Sequence, residues 1–170
     1  MNKVESRNLN NRILITGGCG FIGVNLVNYL LRKGFNYIKI LDNLSTGAKE
    51  NLENALQENG ELILKRRYNK VLYKYKKIFS KDVSKDVLIE LIIGDIRNYN
   101  TCLKVTKQID SVIHLAAHAG VIPSIENPFY DFEVNIKGTL NLLYASVKNK
   151  VDRFIFASSN APLGLSLIHI

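Results

Sequence analysis

Ile13-Leu14-Ile15-Thr16-Gly17-Gly18-Cys19-Gly20-Phe21-Ile22-Gly23 decides the fold of this chain. An apolar run leads into three glycines spaced G-x-x-G-x-x-G, and a helical pattern follows. Nineteen residues beyond Gly23 stands Asp42, at the end of a second apolar run, Ile38-Lys39-Ile40-Leu41. Strand, glycine turn, helix, strand and acid, in that order, form a cradle for a dinucleotide. The turn brings backbone N–H groups and the positive end of a helix to a pyrophosphate. Gly17 lets the chain leave the strand sharply, Gly20 lets the backbone approach the phosphates, and Gly23 lets the helix lie close to the sheet. Phe21 and Ile22 complete the loop. A carboxylate at Asp42 accepts hydrogen bonds from ribose hydroxyls and repels a 2′-phosphate, which favours NAD over NADP.

The rest of the chain alternates in the same manner. Strands are expected at Arg12–Thr16, Tyr37–Leu41, Val87–Ile93, Ser111–Leu115 and Arg153–Ala157. Helices are expected at Phe21–Lys33, Thr46–Gln57, Tyr99–Lys107 and from Pro128 to about Lys148. Gly34 stops the first helix. Strands alternating with helices make an α/β fold: a doubly wound parallel sheet with right-handed crossovers and ligands at the carboxyl ends of the strands.

The glycine spacing resembles that of the short-chain dehydrogenase/reductase superfamily. Five later segments sharpen the resemblance to its extended branch, the NAD-dependent nucleotide-sugar epimerases and dehydratases. They are Asp42-Asn43-Leu44-Ser45-Thr46-Gly47, Gly94-Asp95-Ile96-Arg97, His114-Leu115-Ala116-Ala117, Asn135-Ile136-Lys137-Gly138-Thr139 with the residues through Leu143, and Ala157-Ser158-Ser159. They run in the family's order from about residue 12 to residue 164, and they imply a Rossmann-type sheet. The resemblance implies that Asn43, Ser45, Thr46 and Gly47 join Asp42 in holding the cofactor. It also implies that Asp95 hydrogen-bonds the adenine amino group, that Ile96 covers the ring, and that Ala116, Ala117 and Ala119 let the cofactor lie against the backbone. Asn135 is then a polar support for the site.

Ser159 is the residue assigned to catalysis, because in the resembling enzymes a Ser or Thr there hydrogen-bonds the sugar hydroxyl being oxidised. Asn160 follows it where the family's dehydratases and decarboxylases usually carry an acid, so 4-epimerisation of a UDP-sugar is the leading reading. The family's general base is a tyrosine in Tyr-x-x-x-Lys, after the serine, with its pKa lowered by the lysine. That spacing occurs at Tyr29/Lys33, Tyr73/Lys77 and Tyr144/Lys148, always before Ser159, so the catalytic pair is absent from the chain. The last six residues, 165–170, resemble a translated sequencing adapter. The chain therefore reads as an inactive N-terminal fragment: a disordered tail over 1–11, an incomplete NAD-binding domain over 12–164, and an artefact over 165–170. The sheet would then be truncated after about its fifth strand. Two alternatives stay open, a dehydratase or decarboxylase of the same family and a non-catalytic NAD-binding regulator.

The net charge of +8 is local. Residues 65–85 hold nine Lys/Arg and one acid, a net +8 within an insertion over 61–86, and the remainder is neutral. That distribution counts against a nucleic-acid function for the fold, although a module acting through 65–85 is a third possibility. Tyr68, Val71, Leu72, Tyr75, Ile78 and Phe79 recur there at helical spacing, so the insertion reads as an amphipathic helix with a solvated basic face. His114 and His118, four apart, have no acid or cysteine nearby to complete a ligand set, so no metal is expected. Cys19 and Cys102 read as packing. No apolar run is long enough to span a membrane, and the polar start lacks a signal-peptide core. The expected setting is cytoplasmic, the expected partners a nucleotide sugar and a second copy of the parent chain.

Overall fold

A computed structural model describes residues 12–57, 60–67, 70–77 and 87–159. The tails expected over 1–11 and 165–170 lie outside these residues, as does the end of the insertion. In chain order come β1 (Arg12–Thr16), α1 (Phe21–Arg32), β2 (Tyr37–Asp42), α2 (Lys49–Gln57), β3 (Gly60–Arg67), β4 (Lys70–Lys77), β5 (Val87–Ile93), α3 (Tyr99–Val105), β6 (Ser111–His114), α4 (Val121–Glu126) and α5 (Pro128–Asp131). A π-helical segment (Phe132–Gly138), α6 (Thr139–Lys148) and β7 (Arg153–Phe156) complete the order.

The strands form one sheet in the order β3-β4-β5-β2-β1-β6-β7. Five of them are parallel: β5, β2, β1, β6 and β7. Alternate residues of each strand feed opposite faces. Ile13 and Ile15 join Ile38, Ile40, Ile89 and Leu91 beneath α1 and α2, with Val27, Leu31, Leu52 and Leu56. Leu14, Leu41 and Val112 turn the other way and meet Cys102, Val105 and Leu142 of α3 and α6. Both faces are covered, so the expected doubly wound α/β sheet is the observed one. Its direction of winding reverses between β1 and β6, where the carboxyl ends of parallel strands open a crevice for ligands.

Local chemistry sets the element ends. Beyond α1, Gly34 adopts φ +89; its N–H donates to the Leu31 carbonyl at 3.1 Å and that of Phe35 to the Leu30 carbonyl at 3.1 Å. This pair of bonds closes the last turn. Buried Lys39 reaches from β2 to the end of α3, where its ammonium donates to the Val105 carbonyl at 3.0 Å and the Lys107 carbonyl at 3.3 Å. Burial lowers its pKa, against the opposing pull of the Glu90 carboxylate.

Three expectations need correction. The insertion is no helix: β3 and β4 form an antiparallel hairpin, and β4 pairs antiparallel with β5. Val71, Tyr73 and Tyr75 also alternate with Lys70, Leu72, Lys74 and Lys76, and β-branched and aromatic residues suit a strand. The free edge of β5 supplies the hydrogen-bonding partner that decides between the two periods. Val71 and Tyr73 are buried against the core beneath α2, and the Tyr73 hydroxyl donates to Glu53 Oε1 at 3.1 Å. The helix expected from Pro128 to Lys148 widens into π geometry between α5 and α6. The helix expected from Thr46 begins at Lys49, and α4 was not foreseen.

Tyr73→Ala tests the hairpin. The side chain is fully buried, so its loss is expected to cost about 3 kcal/mol in urea unfolding. On a solvated helix the same change would cost only a few tenths.

Candidate functional site

The site grows from the end of β1. Gly17 turns at φ +70, and a Cβ there would sit 2.8 Å from the Ala116 nitrogen. A Cβ on Gly23 would stand 2.4 Å from the Gly17 carbonyl oxygen. These two glycines let β1, the loop after β6 and the first turn of α1 meet. The Gly17 N–H donates to the Leu41 carbonyl at 2.9 Å, which ties the turn to the end of β2. No side chain caps α1 at Gly20, and no acid lies in its first turn. No side chain of α1 itself therefore competes for the positive end of the helix, where an anion can bind.

Asp42 is built into this loop. Its Oδ2 accepts the Cys19 N–H at 2.9 Å and its Oδ1 the Leu44 N–H at 2.8 Å. The residue is only 7% exposed. A carboxylate has about four acceptor positions, so two remain for hydroxyl donors. Leu44 holds a left-handed φ of 58, which costs about 1 kcal/mol in a non-glycine residue. Its partial burial against the core holds it there. The Asn43 side chain then accepts the Ser45 N–H at 3.0 Å. Next to this segment a cleft of about 430 Å³ is lined by Cys19, Gly20, Phe21, Val24, Asn25, Thr46, Gly47 and Asn51. Phe21, Ile22, Ser45 and Thr46 are exposed on this rim.

One strand further out, at the end of β5, stands Asp95. Its Oδ1 accepts the Arg97 N–H at 2.8 Å and Arg97 Nε at 3.1 Å; its Oδ2 accepts Arg97 Nη2 at 2.9 Å and Asn43 Nδ2 at 3.1 Å. Burial tends to raise its pKa, but these hydrogen bonds outweigh it and hold the carboxyl below its usual value. Ile96 corrects an expectation. Its side chain is 5% exposed and packs within the α3–α6 core, so it has little surface left with which to cover a ring.

On the far side of β1, a buried chain of hydroxyls and one imidazole crosses the switch point. Thr16 Oγ1 accepts the Ala116 N–H at 3.3 Å and lies 2.7 Å from His114 Nδ1. The Thr139 hydroxyl donates to the Asn135 carbonyl at 2.7 Å, so His114 Nε2–H donates to Thr139 Oγ1 at 2.9 Å. Burial pushes the imidazole pKa down to about 4 and so keeps it neutral; with the proton on Nε2, Nδ1 accepts the Thr16 hydroxyl. Asn135 extends the chain. Its side chain accepts the His118 N–H at 2.8 Å and donates to the His118 carbonyl at 2.9 Å and to Asp131 Oδ1 at 3.0 Å. It thereby pins the loop carrying Ala116, Ala117 and Ala119 to the π-helical segment, a geometry often found at functional sites. Sequence reasoning weighed His114 only as a metal ligand. The signal for its real position is a histidine ending an apolar strand, with threonines available at 16 and 139.

Ser159 follows β7 on the same rim and is exposed. The three Tyr/Lys pairs lie elsewhere. Tyr29/Lys33 and Tyr144/Lys148 occupy the last turns of α1 and α6, which run back toward the amino ends of the strands, and Tyr73 is buried under α2. Burial, followed by the Asp42, Glu50 and Glu53 carboxylates, pushes the Cys19 thiol up to about 12, so it stays protonated. Burial also raises the Cys102 thiol to about 12. No group of three metal-ligating side chains occurs among the described residues. No helix among them is long and apolar enough to cross a membrane.

A mostly parallel sheet with a glycine cradle at the first strand and an acid at the second, the two joined by a hydrogen bond, defines a dinucleotide-binding α/β protein. The chain belongs to the NAD dependent epimerase/dehydratase family, which it matches over residues 13–166. It is 37% identical over 157 residues to CDP-paratose 2-epimerase of Salmonella typhi, covering 90% of this chain and 38% of that protein. It is 31% identical over 155 residues to a bifunctional UDP-glucose 4-epimerase and UDP-xylose 4-epimerase of Pisum sativum, with the same coverage. The crystal structure of Thermus thermophilus UDP-glucose 4-epimerase in complex with NAD matches with a TM-score of 0.62 and 32% identity, over 88% of this chain and 38% of that one. The chain thus spans little more than a third of the length of these relatives. NAD is the cofactor of the family, and the residues present fit it. The Gly17–Gly23 cradle is one that a Cβ would fill, and the uncapped end of α1 lies beside it.

The depressed His114 pKa has a sign that can be checked. The folded state binds fewer protons than the unfolded state, whose histidine titrates near 6.5. The stabilisation is therefore complete above about pH 6.5 and lost as pH falls toward 4. Between pH 7 and pH 5 the chain is expected to lose about 2 kcal/mol in urea unfolding relative to His114→Gln, which cannot titrate.

Proposed function

We propose that this chain is the cofactor-binding part of an NAD-dependent nucleotide-sugar 4-epimerase acting on a UDP-sugar. The observation that carries the reading is the Asp42 carboxylate bonded to the Cys19 N–H of the glycine loop. It makes phosphate cradle and ribose acceptor a single unit. The chemistry that NAD would supply here is reversible hydride transfer with the sugar. Gly17, Gly20 and Gly23 would admit its pyrophosphate, and Phe21 and Ile22 would flank it. Asp42 would accept the ribose hydroxyls, with Asn43, Ser45, Thr46 and Gly47 bordering them. Ala116, Ala117 and Ala119 would lie along the dinucleotide, and Asn135 would hold their loop in place. Ser159 would hydrogen-bond the sugar hydroxyl that is oxidised.

Asn160 in place of an acid favours epimerisation over dehydration. The sequence has no Tyr-x-x-x-Lys after Ser159, so the 170 residues by themselves are expected to be inactive. A homodimer of the whole protein is part of this reading. Ile136, Leu140, Leu143 and Val147 recur along the π-helical segment and α6, and all are exposed, which supports it.

Two outcomes are expected. Calorimetric titration should find NAD bound at least tenfold more tightly than NADP, with the preference lost in Asp42→Ala; equal affinity in the unmutated protein would refute the role of Asp42. The purified chain with NAD should not convert UDP-glucose, because positioned acid–base catalysis contributes roughly 10²–10⁴-fold in rate. Turnover free of host enzyme would mean that the chain holds a general base elsewhere.

A further inference from the structure

The β3–β4 hairpin belongs to the sheet but takes no part in the glycine cradle or in the chemistry proposed above. β3 ends the sheet, with β4 on one side and, among the described residues, no strand on the other. It runs for eight residues, Gly60–Arg67. A strand edge of that length is a template for another strand, because its outward N–H and C=O groups can continue the ladder. The register also fixes which residues share a face. Val71 and Tyr73 of β4 lie in the core beneath α2, and they stand opposite Arg66 and Leu64 of β3. Strand alternation then puts Gly60, Leu62, Leu64 and Arg66 on the α2 face, and Glu61, Ile63, Lys65 and Arg67 on the other.

The edge carries its charges in a self-complementary order. Consider β3 paired with a second copy of itself, antiparallel, about a two-fold axis at Ile63. Glu61 then stands opposite Lys65 of the second copy, and Lys65 opposite its Glu61. Ile63 meets Ile63, Leu62 meets Leu64 twice, and Arg66 meets Gly60. Every opposed pair shares a face, as an antiparallel ladder requires. Opposite charges and apolar residues set directly across from each other both favour pairing. An axis at Leu64 would instead oppose Ile63 to Lys65 and Leu62 to Arg66, apolar against charged. Charges on an edge ordinarily repel a further strand. Here they are answered by a strand with acid and base in reverse order, which is what the inverted copy offers. The other cations of the hairpin stand off the axis, with Arg66 and Arg67 at the outer end of the ladder and Lys70, Lys74, Lys76 and Lys77 one strand back. Screening over about 8 Å at physiological salt weakens their repulsion.

We infer that β3 is a self-association edge: two copies of this chain pair through it, antiparallel about Ile63, and join their seven-stranded sheets into one. This edge is the far end of the sheet from β7. α6, whose exposed apolar residues support the homodimer reading above, packs instead over β1 and β6. The two contacts are therefore separate. A single paired edge is a small interface, so the association is weak and concentration-dependent.

Disulfide cross-linking of the full chain tests this without interference from contacts elsewhere. Cys19 and Cys102 are fully buried, and the unmutated chain controls for them. Ile63→Cys sets two thiols across the axis, where Cα atoms about 4.5–5.5 Å apart suit a disulfide. With diamide as oxidant, a covalent dimer is expected at least about tenfold faster than from Arg67→Cys, which shares the face but not the axis. Adding Glu61→Lys to Ile63→Cys opposes like charges twice and is expected to slow cross-linking about tenfold. Adding Lys65→Glu as well restores opposite charges, and with them the rate. Glu61→Lys also opposes a lysine to Lys76 within the hairpin, but Lys65 stands opposite Leu72, so Lys65→Glu cannot relieve that. Recovery therefore reports contact between copies. Should Glu61→Lys lose its far-ultraviolet circular dichroism, Lys65→Glu alone makes the same test with glutamates opposed. Equal rates at positions 63 and 67, or a rate indifferent to the charge reversals, would overturn the inference. So would an Ile63→Cys chain that fails to cross-link; if that chain binds a DNA duplex with steep salt dependence, the hairpin's cations serve a polyanion instead.

Discussion

The hydrogen bond from the Cys19 N–H to the Asp42 carboxylate, 2.9 Å long, holds together what would otherwise be two unrelated loops. Cys19 belongs to the turn after β1 and Asp42 ends β2. Because these strands are parallel neighbours, both loops emerge on one rim, and the bond sets their separation. Asp42 is nearly buried, so its charge is poorly screened. The backbone donors at Cys19 and Leu44 compensate it and also fix the direction in which its free lone pairs point. Gly17 and Gly23 make the arrangement possible, since side chains there would drive the turn away from Ala116 and α1 away from the loop.

A second constraint lies on the other side of β1. The path from Ala116 through Thr16, His114 and Thr139 to the Asn135 carbonyl contains no charge and uses each hydroxyl as both donor and acceptor. Such a chain is stable only while His114 is neutral, because an imidazolium would present two donors to groups arranged for one. Burial keeps it neutral. The glycine turn, the alanine loop and the π-helical segment are therefore held in one geometry, and Asn135 secures the last joint through the His118 backbone. The arrangement couples the strand that opens the phosphate cradle to the loop on the far side of the crevice.

Much of this was legible in the residues. Ile13–Thr16, the spaced glycines and Asp42 carry their own context, since strand, turn, helix and acid each have a local signature. Gly34 marked the end of α1 for the same reason. What escaped depends on partners far along the chain. The spacing of Val71, Leu72 and Tyr75 fits a helix, and Val71, Tyr73 and Tyr75 fit a strand equally well; the open edge of β5 chose the strand. Pro128 signals a helix start, but nothing local signals the π widening that begins at Phe132. Ile96 was expected over a ring and lies instead in the core, because the resemblance carries a position and not a side-chain direction. His114 and Arg97 were visible as letters. Their partners at Thr16, Thr139 and Asp95 become neighbours only once the sheet is wound.

The central claim is that the Gly17–Gly23 turn and Asp42 form one dinucleotide site. Amide chemical-shift mapping of the isotope-labelled chain during an NAD titration tests it most directly. Saturable shifts are expected at Gly17, Cys19, Gly20, Gly23 and Leu44, with the Cys19 amide among the largest because its acceptor also receives the ribose. Shifts confined to the β3–β4 hairpin, or an unperturbed glycine loop at saturating NAD, would contradict it.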